Sequence, residues 1–414
     1  MNATPVSSSR LTDQRQFVRL WFVRLCSTLG YHMMVVAIGW KIYAITGDAF
    51  DLGLVGLIQF IPSVAFTLLI GHLADQYDRR TIMRGAQATL GVAALLLIFV
   101  FLDATPNVSL LFAAVFLIGT ARAFESPASQ SLVPAVVPTA LLSRATAAWA
   151  SSNQTGIICG PAAGGLIYAF LPVLVPVLAL ILFGVAITLV TLIHIQRRAT
   201  PREPPTLSSV LAGFSYVRHR PRLLGVITLD LFVALLGGVT ALLPIYAKDI
   251  LMSGPIGLGL LRSAPAIGAL TMSIALSHLP VERHIGLKMF AVVALFGAAT
   301  MLFAVSTWLP LSMVALAILG AADAVSVVIR FTLVQIETPD QMRGRVSAIN
   351  FLFVNTSNTL GEFESGAVAA WLGAVPSAFI GGLGSLLVAA IWMMIFPDLR
   401  RVDRFEPADT EKRA

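Results

Sequence analysis

Charge and cysteine are both scarce in this chain. Of its 414 residues only 12% are Asp, Glu, Lys or Arg, too few to cover a water-soluble globule of this size. Its two cysteines, Cys26 and Cys159, fall inside long apolar runs, which excludes a disulfide framework and leaves packing as their role. Cys and His never cluster with metal-ligand spacing, no nucleophile sits beside a base in a catalytic pattern, and there is no glycine-rich phosphate loop. An enzyme, a bound metal and a resident cofactor are therefore not expected. Basic stretches interleaved with aromatics are missing too, which speaks against nucleic acid as a partner. What remains is apolar sequence: 57% of residues are hydrophobic and the mean hydropathy is +0.85. The solvent such a chain requires is a lipid bilayer.

A helix crossing a bilayer needs about 20 apolar residues. Twelve such runs can be drawn: Phe17 to Ile45, Leu52 to Ala74, Thr81 to Leu102, Val108 to Val133, Ser143 to Phe170, Val173 to Ile195, Leu223 to Ala247, Gly257 to Leu279, Leu287 to Trp308, Leu311 to Ile336, Val346 to Leu372 and Ser377 to Phe396. The even count puts both termini on one side. Lys and Arg mark the cytoplasmic side of short loops. Arg79, Arg80, Arg84, Arg144, Arg197, Arg198, Arg218, Arg220, Arg283, Arg343, Arg345, Arg400 and Arg401 all fall on the side of the termini, while only Lys41, Lys248 and Arg262 fall near the other face. The expectation is an all-α, multi-pass protein of a bacterial-type inner membrane with both termini cytoplasmic. The formal charge of +7 then reflects topology.

The longest polar interruption, Gln196 to Arg222, carries Pro201, Pro204, Pro205 and six arginines, and it divides the spans six and six. It suggests a cytoplasmic tail over 1–16, a six-helix bundle over 17–195, a linker over 196–222, a second bundle over 223–396 and a tail over 397–414. Within the linker, Leu207 to Tyr216 can form a short amphipathic helix. Sliding the chain on itself pairs Leu132-Val133 with Leu333-Val334, Pro138 with Pro339, Arg144 with Arg345, Gly160 with Gly361 and Gly165 with Gly366 without a gap. The second half thus repeats the first in parallel, an arrangement that puts a ligand site near the midplane.

Between the second and third spans lies Gly71-His72-Leu73-Ala74-Asp75-Gln76-Tyr77-Asp78-Arg79-Arg80. This loop resembles the signature loop of major facilitator superfamily transporters. An ordinary hairpin obeying the positive-inside rule is the competing reading, but a turn needs no Asp ahead of its arginines. In the fifth span Gly156, Gly160, Pro161, Gly164 and Gly165 resemble the superfamily's antiporter motif. Proline removes a helix hydrogen bond and glycine admits close approach, which suits a kinked seam between the two halves; plain small-residue packing gives the same composition. Thr332-Leu333-Val334-Gln335, Thr338-Pro339-Asp340-Gln341-Met342-Arg343-Gly344-Arg345 and Gly361-Glu362-Phe363-Glu364, with Ser126-Pro127-Ala128 and Leu243-Pro244-Ile245-Tyr246, are similar to the enterobactin-exporter-like branch of drug and siderophore:proton antiporters. The chain departs from that pattern in two places. Ser277 to Arg283 lacks the Gly and Asp of a second signature loop, and Gly30-Tyr31-His32 stands where relatives often carry Asp after Gly.

The resemblance implies a twelve-helix transporter of two pseudo-symmetric bundles that exports a small amphipathic compound, siderophore or drug, as a monomer in exchange for protons. It further implies a cytoplasmic gate of Gly71, Asp75, Asp78, Arg79, Arg80 and Arg345, with Asp75 facing the start of the eleventh helix near Gly344. Charges inside spans are costly and mark function by default. Counting depth at 1.5 Å per residue lets Arg24 meet Glu125, with Arg122 one turn away, and Asp230 meet Arg330; both can equally be ion pairs that hold helices together. Asp323, deep in the tenth span with no basic residue at its depth, is expected to be buried and is the first candidate for proton coupling. Asp230, Glu362, Glu364 and His32 follow. Arg262, Glu362 and Glu364 can latch the outer side. Tyr31, Gln59, Asn153, Gln154, Asn350, Asn355 and Asn358 can line a polar cavity or bond helix to helix. A proton-driven importer or facilitator, and a non-transporting scaffold or sensor, remain open on the same fold.

Overall fold

A computed structural model describes residues 11–66, 77–103, 105, 107–194, 214–279 and 282–405. They are helical almost throughout, with no strand among them. Twelve long helices follow one another: α1 Arg15–Thr46, α2 Ala49–Ala65, α3 Arg79–Leu102, α4 Val108–Val136, α5 Leu142–Phe170, α6 Leu174–Thr191, α7 Pro221–Leu236, α8 Gly254–His278, α9 Ile285–Val305, α10 Leu309–Glu337, α11 Asp340–Leu372 and α12 Ala374–Ile395. The greater part of the expected helix Leu207 to Tyr216 lies outside the described residues.

Local sequence sets the helix ends. Asp78 and Asn107 take extended backbone and accept from the second amide of α3 and α4, satisfying donors a helix start leaves open. Gly47, at φ +64, and Gly373, at φ +94, turn the chain between α1 and α2 and between α11 and α12, where a side chain would be strained. Nine segments among the described residues are long and apolar enough to cross a membrane. Side chains such as Phe170 at 80% exposure and Trp371 at 90% stand on the outer surface, as hydrocarbon permits and water does not.

The seventh span, expected from Leu223 to Ala247, is present over Pro221–Ile250, and its helix is interrupted. Helix α7 stops at Leu236, passes Gly237 and Gly238, forms a 3-10 turn over Val239–Leu242 and ends in a π turn over Tyr246–Ile250. The cause is Gly238, whose backbone lies so close against Gly361 and Glu362 of α11 that a Cβ would overlap them. Interrupted helices of this kind form transporter binding sites.

Packing divides the described chain into two compact units, one from Met1–Ile38 with Ile61–Pro204 and one from Gly39–Phe60 with Pro205–Ala414. The outer part of α1 and most of α2 thus pack with the second unit. In the first unit Leu20, Val23, Met83, Leu132, Ala145 and Val190 share one core, drawn from α1 and α3 to α6. In the second, the buried Tyr246 ring stacks at 4.4 Å on Phe303 and its hydroxyl donates to the Ala304 carbonyl at 3.0 Å. The internal repeat has a counterpart in packing: Gly160 of α5 lies against Leu29 and His32 of α1, and its partner Gly361 of α11 lies against Ala234 and Leu235 of α7.

Candidate functional site

Glu125 of α4 is fully buried between two arginines, Arg122 Nη1 at 2.9 Å and Arg24 Nη1 at 3.6 Å. A buried charge is tolerable only when its remaining lone pairs are also satisfied. Ser27 donates to Glu125 at 2.6 Å, and Gln87 donates to both Ser27 and Glu125 at 3.0 and 3.3 Å. Arg24 donates to Asn153 Oδ1 at 2.6 Å and lies 4.9 Å over the Trp149 ring. Arg122 lies 4.5 Å over Tyr31. Three helices of the first unit, α1, α3 and α4, therefore converge on one carboxylate, and α5 holds Arg24 beside it. Sequence reasoning named both arginines, Glu125, Tyr31 and Asn153 but missed Ser27, Gln87 and Trp149. A lone glutamine in the apolar run of α3 was the signal for Gln87; serine gave none.

In the second unit Asp230 of α7 and Arg330 of α10 form an ion pair. It joins α7 to α10, as Arg24 and Glu125 join α1 to α4 in the first unit, with the acid and the base on opposite members of the pair. Asp323 lies two turns before Arg330 on α10 and lines a small cavity with Asp230, Val233, Val293, Phe296 and Ser326. It makes no ion pair among the described residues. The expectation that Asp323 is buried is corrected: its side chain is exposed. Counting along a helix gives depth, whereas the direction a side chain faces depends on packing.

Of the gate residues, Gly71 and Asp75 lie outside the described residues. Asp78 caps α3 and pairs with Arg80 at 2.5 Å, and Arg80 also donates to the Ile193 carbonyl at 2.8 Å. Arg79 donates to the Ser131 carbonyl at 2.9 Å. The three thus tie the start of α3 to α4 and to the end of α6. Arg345 is exposed, and its Nη1 donates to the Met342 sulfur at 3.7 Å.

The glycine motif was expected at a seam between halves; here it acts inside the first unit. Added Cβ atoms on Gly156, Gly160 and Gly164 would lie 2.7, 2.6 and 2.9 Å from Thr28, His32 and Met33, so three turns of α5 ride directly on α1. Pro161 and Gly165 are buried in the same stretch.

His32 sits edge-on to Tyr31 at 4.9 Å. Glu362 accepts from Thr240 at 3.1 Å, and Ser365 donates to Glu364 at 3.4 Å. Arg262, Gln59 and Gln154 are half-buried, Asn355 and Asn358 are exposed, and the side-chain oxygen Oδ1 of Asn350 is buried without a hydrogen bond among the described residues. Sequence reasoning also missed a cluster in the second unit. Tyr43 donates to Asp249, while Lys248 lies 3.4 Å from the Tyr43 carbonyl and 4.9 Å over its ring.

The sequence profile of the Major Facilitator Superfamily matches residues 20–362. The enterobactin exporter EntS of Escherichia coli is 27% identical over 416 residues, covering 97% of both chains, and that of Shigella boydii matches equally. Among solved structures, the nucleoside transporter NupG superposes with TM-score 0.72 at 13% identity, over 92% of this chain and 99% of that one. A bacterial homologue of the iron transporter ferroportin superposes with TM-score 0.72 at 17% identity, over 95% and 100%. With the profile spanning most of its length and twelve long helices in the same fold, the chain belongs to the major facilitator superfamily, a family of multi-pass membrane transporters.

Proposed function

We propose that this protein is a proton-coupled exporter of a small amphipathic compound, siderophore or drug, acting as a monomer in a bacterial inner membrane with both termini cytoplasmic. The bundles over 17–195 and 223–396 alternate access to a site near the midplane, and the linker over 196–222 joins them. The observation that carries proton coupling is Asp323. An acid in the middle of a membrane helix marks a functional site by default, and Asp323, which makes no ion pair among the described residues and shares a cavity with Asp230, has an exposed carboxyl group able to take up and release a proton. Similarity to an enterobactin exporter over almost the whole chain supports outward transport and a siderophore-like cargo. Arginine distribution supports the orientation. Asp75, Asp78, Arg79, Arg80 and Arg345 serve as the cytoplasmic gate; a carboxylate at a helix start is worth roughly 0.3 to 1 kcal/mol, enough to bias a rocking equilibrium without locking it.

Everted vesicles acidified inside test the reading. Adding a transported siderophore or drug must draw protons out of the lumen as cargo enters, seen as recovery of a pH-sensitive dye. Cargo movement in the opposite sense, or cargo movement without proton flux, contradicts it.

A further inference from the structure

The first unit holds more positive charge than its architecture requires. Among its described residues, the charges more than two turns from any helix end are Arg24, Arg122 and Glu125, two cations on one carboxylate. A pair meant only to join α1 to α4 needs one arginine, as the second unit shows by joining α7 to α10 with Arg330 and Asp230 alone. An uncompensated charge in a membrane protein is retained for a purpose.

Exposure says which charge faces outward. The Arg122 side chain is 26% exposed while that of Glu125 is 0% exposed. Hydrogen bonding points the same way. Arg24 Nε and the Trp149 indole nitrogen are buried donors without a hydrogen-bond acceptor among the described residues, and Arg24 Nη1 has only the Glu125 carboxylate at 3.6 Å, with Arg24 as a whole 7% exposed. Buried donors without acceptors are uncommon and call for an explanation. An oxyanion, with several lone pairs, is the group that satisfies guanidinium and indole N–H together. Both guanidiniums also lie over aromatic rings, Arg24 at 4.9 Å over Trp149 and Arg122 at 4.5 Å over Tyr31, a setting in which a further planar ring can stack.

We propose that Arg24 and Arg122, held by Glu125 and flanked by Tyr31, Trp149 and Asn153, form the docking point for an oxyanion carried on an aromatic ring of the cargo. This rests on the transporter reading and names the cargo's chemical class. Glu125 neutralises one arginine and fixes both; the second arginine's charge is left for the ligand.

Equilibrium binding to the purified, detergent-solubilised protein tests it with two probes of matched shape, salicylate and salicylamide. Salicylate is expected to bind at least about tenfold more tightly, the ratio that about 1.4 kcal/mol of charge-assisted bonding gives. Arg122→Gln keeps Arg24 on Glu125 and leaves the cluster neutral, so it is expected to retain the fold and to lose the preference; Arg122→Lys is expected to keep part of it. Equal binding of the two probes, binding of neither, or an undiminished preference in Arg122→Gln overturns the proposal. Should Arg122→Gln not elute as folded protein, Tyr31→Leu takes its place and must weaken salicylate more than salicylamide; equal weakening overturns the proposal. Binding needs no proton gradient. Preference for the anion without proton-linked transport therefore contradicts the exporter reading alone, and proton-linked export of neutral cargo without that preference contradicts the docking site alone.

Discussion

Asp230 and Arg330 meet face to face, whereas Glu125 is shared by Arg24 and Arg122. Removing one member of a buried pair strands the other, at about 3 to 5 kcal/mol. Asp230→Arg and Arg330→Asp are therefore each expected to lower the melting temperature in detergent strongly, and the double exchange to recover more than half of the larger loss. A double variant as unstable as the two singles added together means that the residues do not interact. Distance along a helix was enough to propose these partners, because charges in a membrane are few and must find one another. The neutral shell around Glu125 was hidden: Ser27 and Trp149 are ordinary residues of a membrane helix, and only their placement gives them a role. Asp323 shows the same limit from the other side, since its depth could be counted and its exposure could not.

Helices carry their packing instructions in glycine. Gly160 lies so close to His32 that a methyl group must push α5 away from α1, while nothing stands within 4 Å of a Cβ on Gly184 of α6. Gly160→Ala is expected to destabilise the protein by about 1 to 3 kcal/mol, as overpacked cores do. Gly184→Ala is expected to be neutral or to stabilise by up to about 1 kcal/mol, since alanine favours helix. Thermal melts of both variants check this, and a harmless Gly160→Ala would mean that the two helices are not in backbone contact. The motif was legible from sequence, but its partner was not, because small residues say that something comes close without saying what. The break in the seventh span lies at Gly237-Gly238, two residues that are common in membrane helices; contact with Gly361 decides the matter and is remote in sequence.

At the scale of the whole molecule, hydropathy and the internal repeat laid out twelve helices, because a bilayer permits few alternatives to a helix. The proposed orientation rests on arginine placement. A reporter active only outside the cytoplasm is expected to be silent when fused after Ala414 and active when inserted near Thr105; reversal of either result contradicts the topology. The functional claim rests on Asp323, an exposed acid in mid-helix beside the Asp230–Arg330 pair. Asparagine there imitates a carboxyl group that never releases its proton. The most direct measurement is cargo transport by Asp323→Asn in proteoliposomes, with and without an imposed pH gradient. Gradient-driven accumulation is expected to fall to background while cargo binding and gradient-free exchange persist. Accumulation at the wild-type rate would contradict proton coupling at Asp323.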